Sequence, residues 1–125
     1  MANPGLIKSL VAEAAVNPYR VVKFGTADGQ VIQSAAAADA HIGVADNLGA
    51  AIGARVDVIM DGIAEAEAGA AITRGALLSS DSSGRVITAA ASAGSNVGVI
   101  GRALASAAGA GEIIPISVSI GSFQG

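Results

Sequence analysis

Val56, Val58 and Met60 alternate with Arg55, Asp57, Ile59 and Asp61, the period-two pattern of a strand with one face toward a core and the other toward water. Gly62 breaks the run. Glu65 and Glu67 then alternate with Ala64, Ala66 and Ala68, so a second strand is expected to follow, with its carboxylates outward and only small side chains inward. Near the C-terminus Ile114, Ile116, Val118 and Ile120 alternate with Pro115, Ser117 and Ser119. Pro115 cannot donate to a ladder, which places it at an edge, a strand start or a bulge. The expected core is therefore Val56, Val58, Met60, Ile114, Ile116 and Val118.

Shorter apolar runs fill the intervals. Tyr19 to Phe24 and Gln30 to Ser34 predict a hairpin across the turn from Gly25 to Gly29, and Ile42 to Ala45, Arg85 to Thr88 and Val97 to Leu104 predict further strands. Asp81 to Gly84 is turn chemistry, because Asp bonds its own backbone and Gly accepts positive φ. Residues 46–53 form a loop, and the alanine-rich residues 35–40 have room for one helical turn. The predicted class is mainly β: a small single-domain barrel or sandwich of short strands with Gly- and Ala-rich loops.

Ahead of these strands Leu6, Ile7, Leu10, Val11, Ala14 and Ala15 recur at helical spacing, yet the same segment can lie extended against a neighbour. Asn17-Pro18 ends it in either case. The chain thus divides into an N-terminal arm, residues 1–17, and a body, residues 18–125. Within the body, residues 29–44 overlie residues 84–99 without a gap, with eight identities in sixteen positions. The shared Gly-x-Val-Ile and Gly-Val elements point to two similar β-turn-β units.

Composition changes the picture of how such a body is stabilised. Hydrophobic residues make up 52% of the chain, but Ala leads them and Tyr19, Phe24 and Phe123 are the only aromatics. Fully burying a Val, Leu or Ile contributes about 1.5–3 kcal/mol, and an Ala much less. Partner surfaces are expected to supply part of the stability. A net charge of −3 with seven scattered basic residues argues against a nucleic-acid partner, whose phosphates require clustered Lys and Arg. The longest uncharged interval, Val86 to Gly101, contains Gly94, Ser95, Asn96 and Gly98 and falls short of the roughly 20 apolar residues of a membrane span. Lys8 and Glu13 interrupt the N-terminal apolar stretch, so a secretory signal is not expected either.

Candidate chemistry is sparse. With no Cys and one His, disulfides, thiolates and the usual zinc clusters have no ligands. His41 is the only imidazole, with Asp39 and Asp46 near it, but no G-x-S-x-G surrounds any serine and a solvated loop position is expected. A small hydrolase using His41 is the weaker alternative. Asp57, Asp61, Glu65 and Glu67 lack calcium-loop spacing and are read as a solvated face. The glycines form neither a phosphate loop nor a dinucleotide fingerprint. No enzyme activity, cofactor or metal is expected, and small apolar surfaces of this kind bind protein.

The opening M-A-N-P-G-L-I-K-S-L-V-A-E-A-A-V-N-P-Y-R-V-V-K-F, then I-G-V-A at Ile42 to Ala45, V-D-V-I-M-D-G-I-A-E-A at Val56 to Ala66, A-I-T-R-G-A-L-L-S-S-D-S-S-G-R-V at Ala71 to Val86, and the closing V-I-G-R-A-L and S-F-Q-G together resemble the capsid decoration, or cement, proteins of tailed bacteriophages. That resemblance implies a mostly β protein, made in the host cytoplasm, that assembles as a homo-oligomer, commonly a trimer. It would sit on the outer surface of the virion and clamp neighbouring major capsid protein subunits. Leu6, Ile7, Leu10 and Val11 are the expected interface, docked on the capsid or on a neighbouring protomer. Another virion or cell-surface β module, such as a tail or fibre component, is the alternative.

Overall fold

The alternating runs become strands. The computed structural model describes residues 3–37, 39–89 and 96–124, and within them it has β1 (Asn3–Ala12), β2 (Val21–Phe24), β3 (Gln30–Gln33), β4 (His41–Ala45), β5 (Arg55–Glu67), β6 (Leu77–Ser80), β7 (Val86–Thr88), β8 (Asn96–Ala103) and β9 (Ile113–Gln124). The fold is mainly β, with no helix among the described residues. Where one helical turn is expected, at 35–40, the Asp39 carboxylate accepts the N–H groups of Ala35 and Ala36 at 2.9 and 3.0 Å. Such a local side-chain contact competes with the helical ladder.

The strands are hydrogen-bonded in the order β1-β3-β2-β4-β5-β9-β8-β6-β7, and β1 also pairs with β5, closing a five-stranded barrel from β1 to β5. Its seam is parallel, with Val11 opposite Gln30 and Ala12 opposite Val31. Closure removes the exposed edges that open sheets leave for aggregation.

The remaining strands repeat this plan, with the C-terminal end of β5 standing where β1 stands in the first barrel. Gly62 to Glu67 pair antiparallel with β9, and Ala68 bridges Val86 of β7 in parallel, as Ala12 meets Val31. Val22 lies opposite Gly43 and Val44 opposite Ile59 in the first barrel; Leu78 lies opposite Gly101 and Arg102 opposite Ser117 in the second. The isolated bridges Val16–Ala50 and Ile72–Ala107 correspond in the same way. The molecule is two barrels in tandem with β5 common to both.

The residues of the sequence echo fall on β3–β4 and β7–β8, although 38 and 90–95 lie outside the described residues. Val31 corresponds to Val86, as the ungapped pairing has it. The β4 part does not follow that pairing: Gly43 corresponds to Gly101 and not to Gly98, because Gly101 stands three positions farther along the chain from Thr88 than Gly43 does from Gln33.

Each barrel has its own core. Leu10, Ala12, Val22, Val31, Val56 and Val58 in the first have Ala66, Ala68, Leu78, Val86, Ile114 and Ile116 as counterparts in the second. Met60 is half-buried against the first core and Val118 is buried in the second. Three residues from the outer face of the first barrel, Val21, Val44 and Ile59, belong to the second core. Ile59 lies on the side of β5 expected to face water; it is buried because the second barrel covers that side.

Two further expectations change. The break expected at Gly62 is a handover inside one strand of 13 residues: Gly62 takes φ +92°, upstream residues pair with β1 and downstream ones with β9. Glycine reaches that region without a Cβ penalty. The N-terminal segment lies extended along β5, from Asn3 opposite Ile63 to Val11 opposite Arg55. β6 had no signal in the sequence, since Leu78, Ser79 and Ser80 are all buried and show no alternation.

The tandem plan makes Gly43 and Gly101 equivalent points of close approach. A Cβ on either would run into backbone, the Ile59 carbonyl for Gly43 and the Ser117 carbonyl for Gly101, whereas one on Gly109 would meet open space. Gly43→Ala and Gly101→Ala are each expected to destabilise the protein by about 1–3 kcal/mol, read as a lower midpoint in urea, with Gly109→Ala near wild type.

Candidate docking surfaces

His41 is the first candidate for chemistry, and its surroundings rule a reaction centre out. Strand β4 carries it into the seam between the barrels, where it is 3% exposed. Its Nδ1 is 2.9 Å from Ser34 Oγ and its Nε2 is 3.5 Å from Ser79 Oγ. The Ser79 hydroxyl donates to the Ala37 carbonyl at 3.1 Å, so toward the ring it accepts. That places the imidazole proton on Nε2 and leaves Nδ1 to accept from Ser34. Both serines are buried, and Asp39 is held by Lys23 at 3.0 Å. The expected solvated loop position is wrong because β6 and β8 cover this face: Gly98 N–H also donates to Ala37. The imidazole braces two barrels.

The same seam absorbs other polar residues of the first barrel. Arg20 donates to the Ser83 carbonyl and pairs with Glu67 at 3.3 Å, and Gln33 donates to Ser83 as well. Glu67 is also 3.7 Å from Arg85. Their counterparts in the second barrel, Ala76 for Arg20 and Thr88 for Gln33, hold no further barrel among the described residues. Among the described residues no cluster of three His, Cys, Asp or Glu is placed to bind a metal ion.

What remains for partners is surface. Leu48 and Ile52, in the β4–β5 loop, are 79% and 72% exposed, and Leu6 and Ile7 of β1 are 53% and 49% exposed. Of the four arm residues expected at an interface, Leu10 is buried in the chain's own first core and Val11 is half-buried at the parallel seam. The alternating-pattern reading missed Leu48 and Ile52, although large apolar residues inside a Gly- and Asn-rich loop are a signal available in the sequence. The second barrel exposes Leu77, Leu104 and Ile113 to a smaller degree.

A shallow depression lies beside the seam, lined by Tyr19, Asp46, Asn47, Ile59 and Glu65. Tyr19 has φ +63°, where the corresponding turn of the second barrel has Gly75 at φ +91°. Keeping a side chain in that conformation costs about 1–3 kcal/mol. Asp57, on the Ile59 side of β5, is exposed, and so is Asp61 beyond the bulge between Ile7 opposite Ile59 and Leu6 opposite Asp61. Residues 1–67 hold eight acids against four bases, while residues 68–125 hold two against three. The acidity of the chain is thus gathered on the first barrel.

Burial lowers the pKa of His41 below its ordinary value of 6.5, an effect the nearby Asp39 charge only partly offsets. The unfolded chain therefore takes up this proton first as pH falls, and stability present above about 6.5 is lost on descending through the ordinary value toward the folded one. The thermal midpoint is expected to drop between pH 7 and pH 5, and His41→Gln is expected to flatten that dependence.

Known proteins bear on this surface. No curated protein sequence matches the chain. Its fold is similar to that of the crystal structure of the head fiber gp8.5 N base in bacteriophage phi29, with a TM-score of 0.69 and 20% identity over 91% of this chain and 93% of that one. The family model for phage cement protein matches residues 3–119. With that match over nearly its whole length, the chain belongs to the phage cement protein family: it is a structural, non-enzymatic protein of the bacteriophage virion.

Proposed function

We propose that the chain binds the outer surface of the phage head as a homo-oligomer, a trimer, and stabilises the shell by clamping neighbouring major capsid protein subunits. The observation that carries the reading is the family match, joined to a body whose most exposed apolar side chains, Leu48 and Ile52, sit in one loop of one barrel. The corresponding loop of the second barrel, residues 104–112, is made largely of Ala and Gly after Leu104. Leu48 and Ile52 are assigned to the shell, and Leu6 and Ile7 to a neighbouring protomer. A specific interface buries about 1,600 Å², and a trimer that meets several subunits at once gains further affinity by multivalency.

A second reading makes the chain the base of a fibre or a tail component; the similarity of its fold to a head-fibre base favours it. Recovery of the chain on expanded heads that lack tails and fibres supports the first reading. Recovery only with tails or fibres supports the second.

Heads lacking this protein are the test material. Leu48→Ser combined with Ile52→Ser is expected to weaken binding at least about tenfold, or about 1.4 kcal/mol, with an unchanged thermal midpoint. Binding equal to wild type would contradict the assignment of that loop to the shell.

A further inference from the structure

The tandem plan leaves one face of the second barrel uncovered. In the first barrel Val21, Val44 and Ile59 form an outer face that the second barrel covers. Ladder pairing puts Leu77, Arg102 and Ser117 at the corresponding positions of the second barrel. Among the described residues no third barrel covers them. Leu77, Leu104 and Ile113 are exposed there, together with Arg102, and Arg74 stands exposed on the adjoining turn. This is an apolar face with cations on it.

The in-chain mode of docking cannot simply be repeated by another molecule. The second barrel meets the first partly through the buried Ser79, and the residue at that position in the first barrel is Lys23, by ladder correspondence of Lys23 opposite Ile32 with Ser79 opposite Ile87. Lys23, although paired with Asp39, would bring a cation toward Arg74 and Arg102 where the chain's own contact has a neutral serine. Open-ended stacking of copies is thereby opposed, and the cationic face has to seek an acidic one.

The first barrel supplies such a face. Asp46 lines the shallow depression with Tyr19 and Ile59, Asp57 stands exposed two residues before Ile59 on β5, and Ile7 lies opposite Ile59 in the β1–β5 ladder, on the same side of the sheet. Tyrosine suits a contact of this kind, with an apolar ring and a polar tip. We propose that the occupant of the uncovered face of the second barrel is a second copy of this chain, whose first barrel presents the acidic depression beside Tyr19. The contact joins unlike surfaces, so each copy offers one face and accepts with the other, and the trimer proposed above is the ring that would close it. The proposal rests on the homo-oligomer reading above and specifies the surfaces that reading leaves open.

Charge reversal in the full chain tests it, read by light scattering after size exclusion. Wild type is expected at three times the 12.0 kDa chain mass. Arg74→Glu with Arg102→Glu is expected to run at the mass of one chain, and so is Asp46→Arg with Asp57→Arg, each with the circular dichroism of wild type. All four reversals in one chain are expected to restore the trimer, which a folding defect would not do. If wild type is a trimer and either reversed pair remains one, the homo-oligomer reading stands and this pairing of faces is overturned. The pairing is overturned equally if the four-fold variant stays single, or if the reversals leave the trimer intact and abolish only head binding, which would give the face to the capsid protein. A wild type at single-chain mass overturns the homo-oligomer reading itself.

Discussion

The structure depends on one shared strand. β5 closes the first barrel with its N-terminal half and opens the second with its C-terminal half, so the two barrels are joined through one continuous strand. A short barrel filled largely by Val and Ala buries little area per residue. Sharing a strand, and covering Val21, Val44 and Ile59 of one barrel with the core of the other, adds apolar burial that an isolated barrel of this size would lack. The polar brace of Arg20, Gln33 and His41 across the same seam fixes the relative orientation, since a buried imidazole with both nitrogens committed has few alternative settings.

Tandem repetition also explains how the two halves came to differ. Positions that face a barrel interior are apolar in both, as with Val31 and Val86 or Val58 and Ile116. Both barrels keep a glycine where β4 and β8 pass over a carbonyl of the neighbouring strand. Changes of chemical class stand elsewhere: Arg20, Gln33 and His41 where the first barrel meets the second, Leu48 and Ile52 in one loop, Tyr19 in a backbone conformation that Gly75 adopts without strain. Residues that the common fold does not require are the ones left for partners, and this division is what a structural protein of the virion needs.

Much of this was legible in the sequence. Alternation located β5 and β9, turn residues located the β2–β3 hairpin, and the Gly-x-Val-Ile echo marked β3 and β7. Period-two reasoning failed where a strand has no solvent face: Ile59 and the serines of β6 are buried because both sides of their sheets are covered, and no local pattern reports a covering barrel. Gly62 read as an end because a glycine in a strand and a glycine between strands look alike until the partners are known. His41 read as a loop residue for a related reason, since its hydrogen-bond partners Ser34 and Ser79 are brought to it only by the packing of one barrel on the other. Leu10 shows the limit of a helical spacing reading, because the same residues laid out in β1 alternate between the core and the surface.

If β5 makes one cooperative body of the two barrels, their amides must open together. Native-state hydrogen exchange, followed for amides of β2 and β4 in the first barrel and β6 and β8 in the second, measures this directly. The most protected amides of the two barrels are expected to share one opening free energy, and to lose it in parallel as urea is added. A second barrel that exchanges freely while the first stays protected, or the reverse, would contradict the shared-strand account.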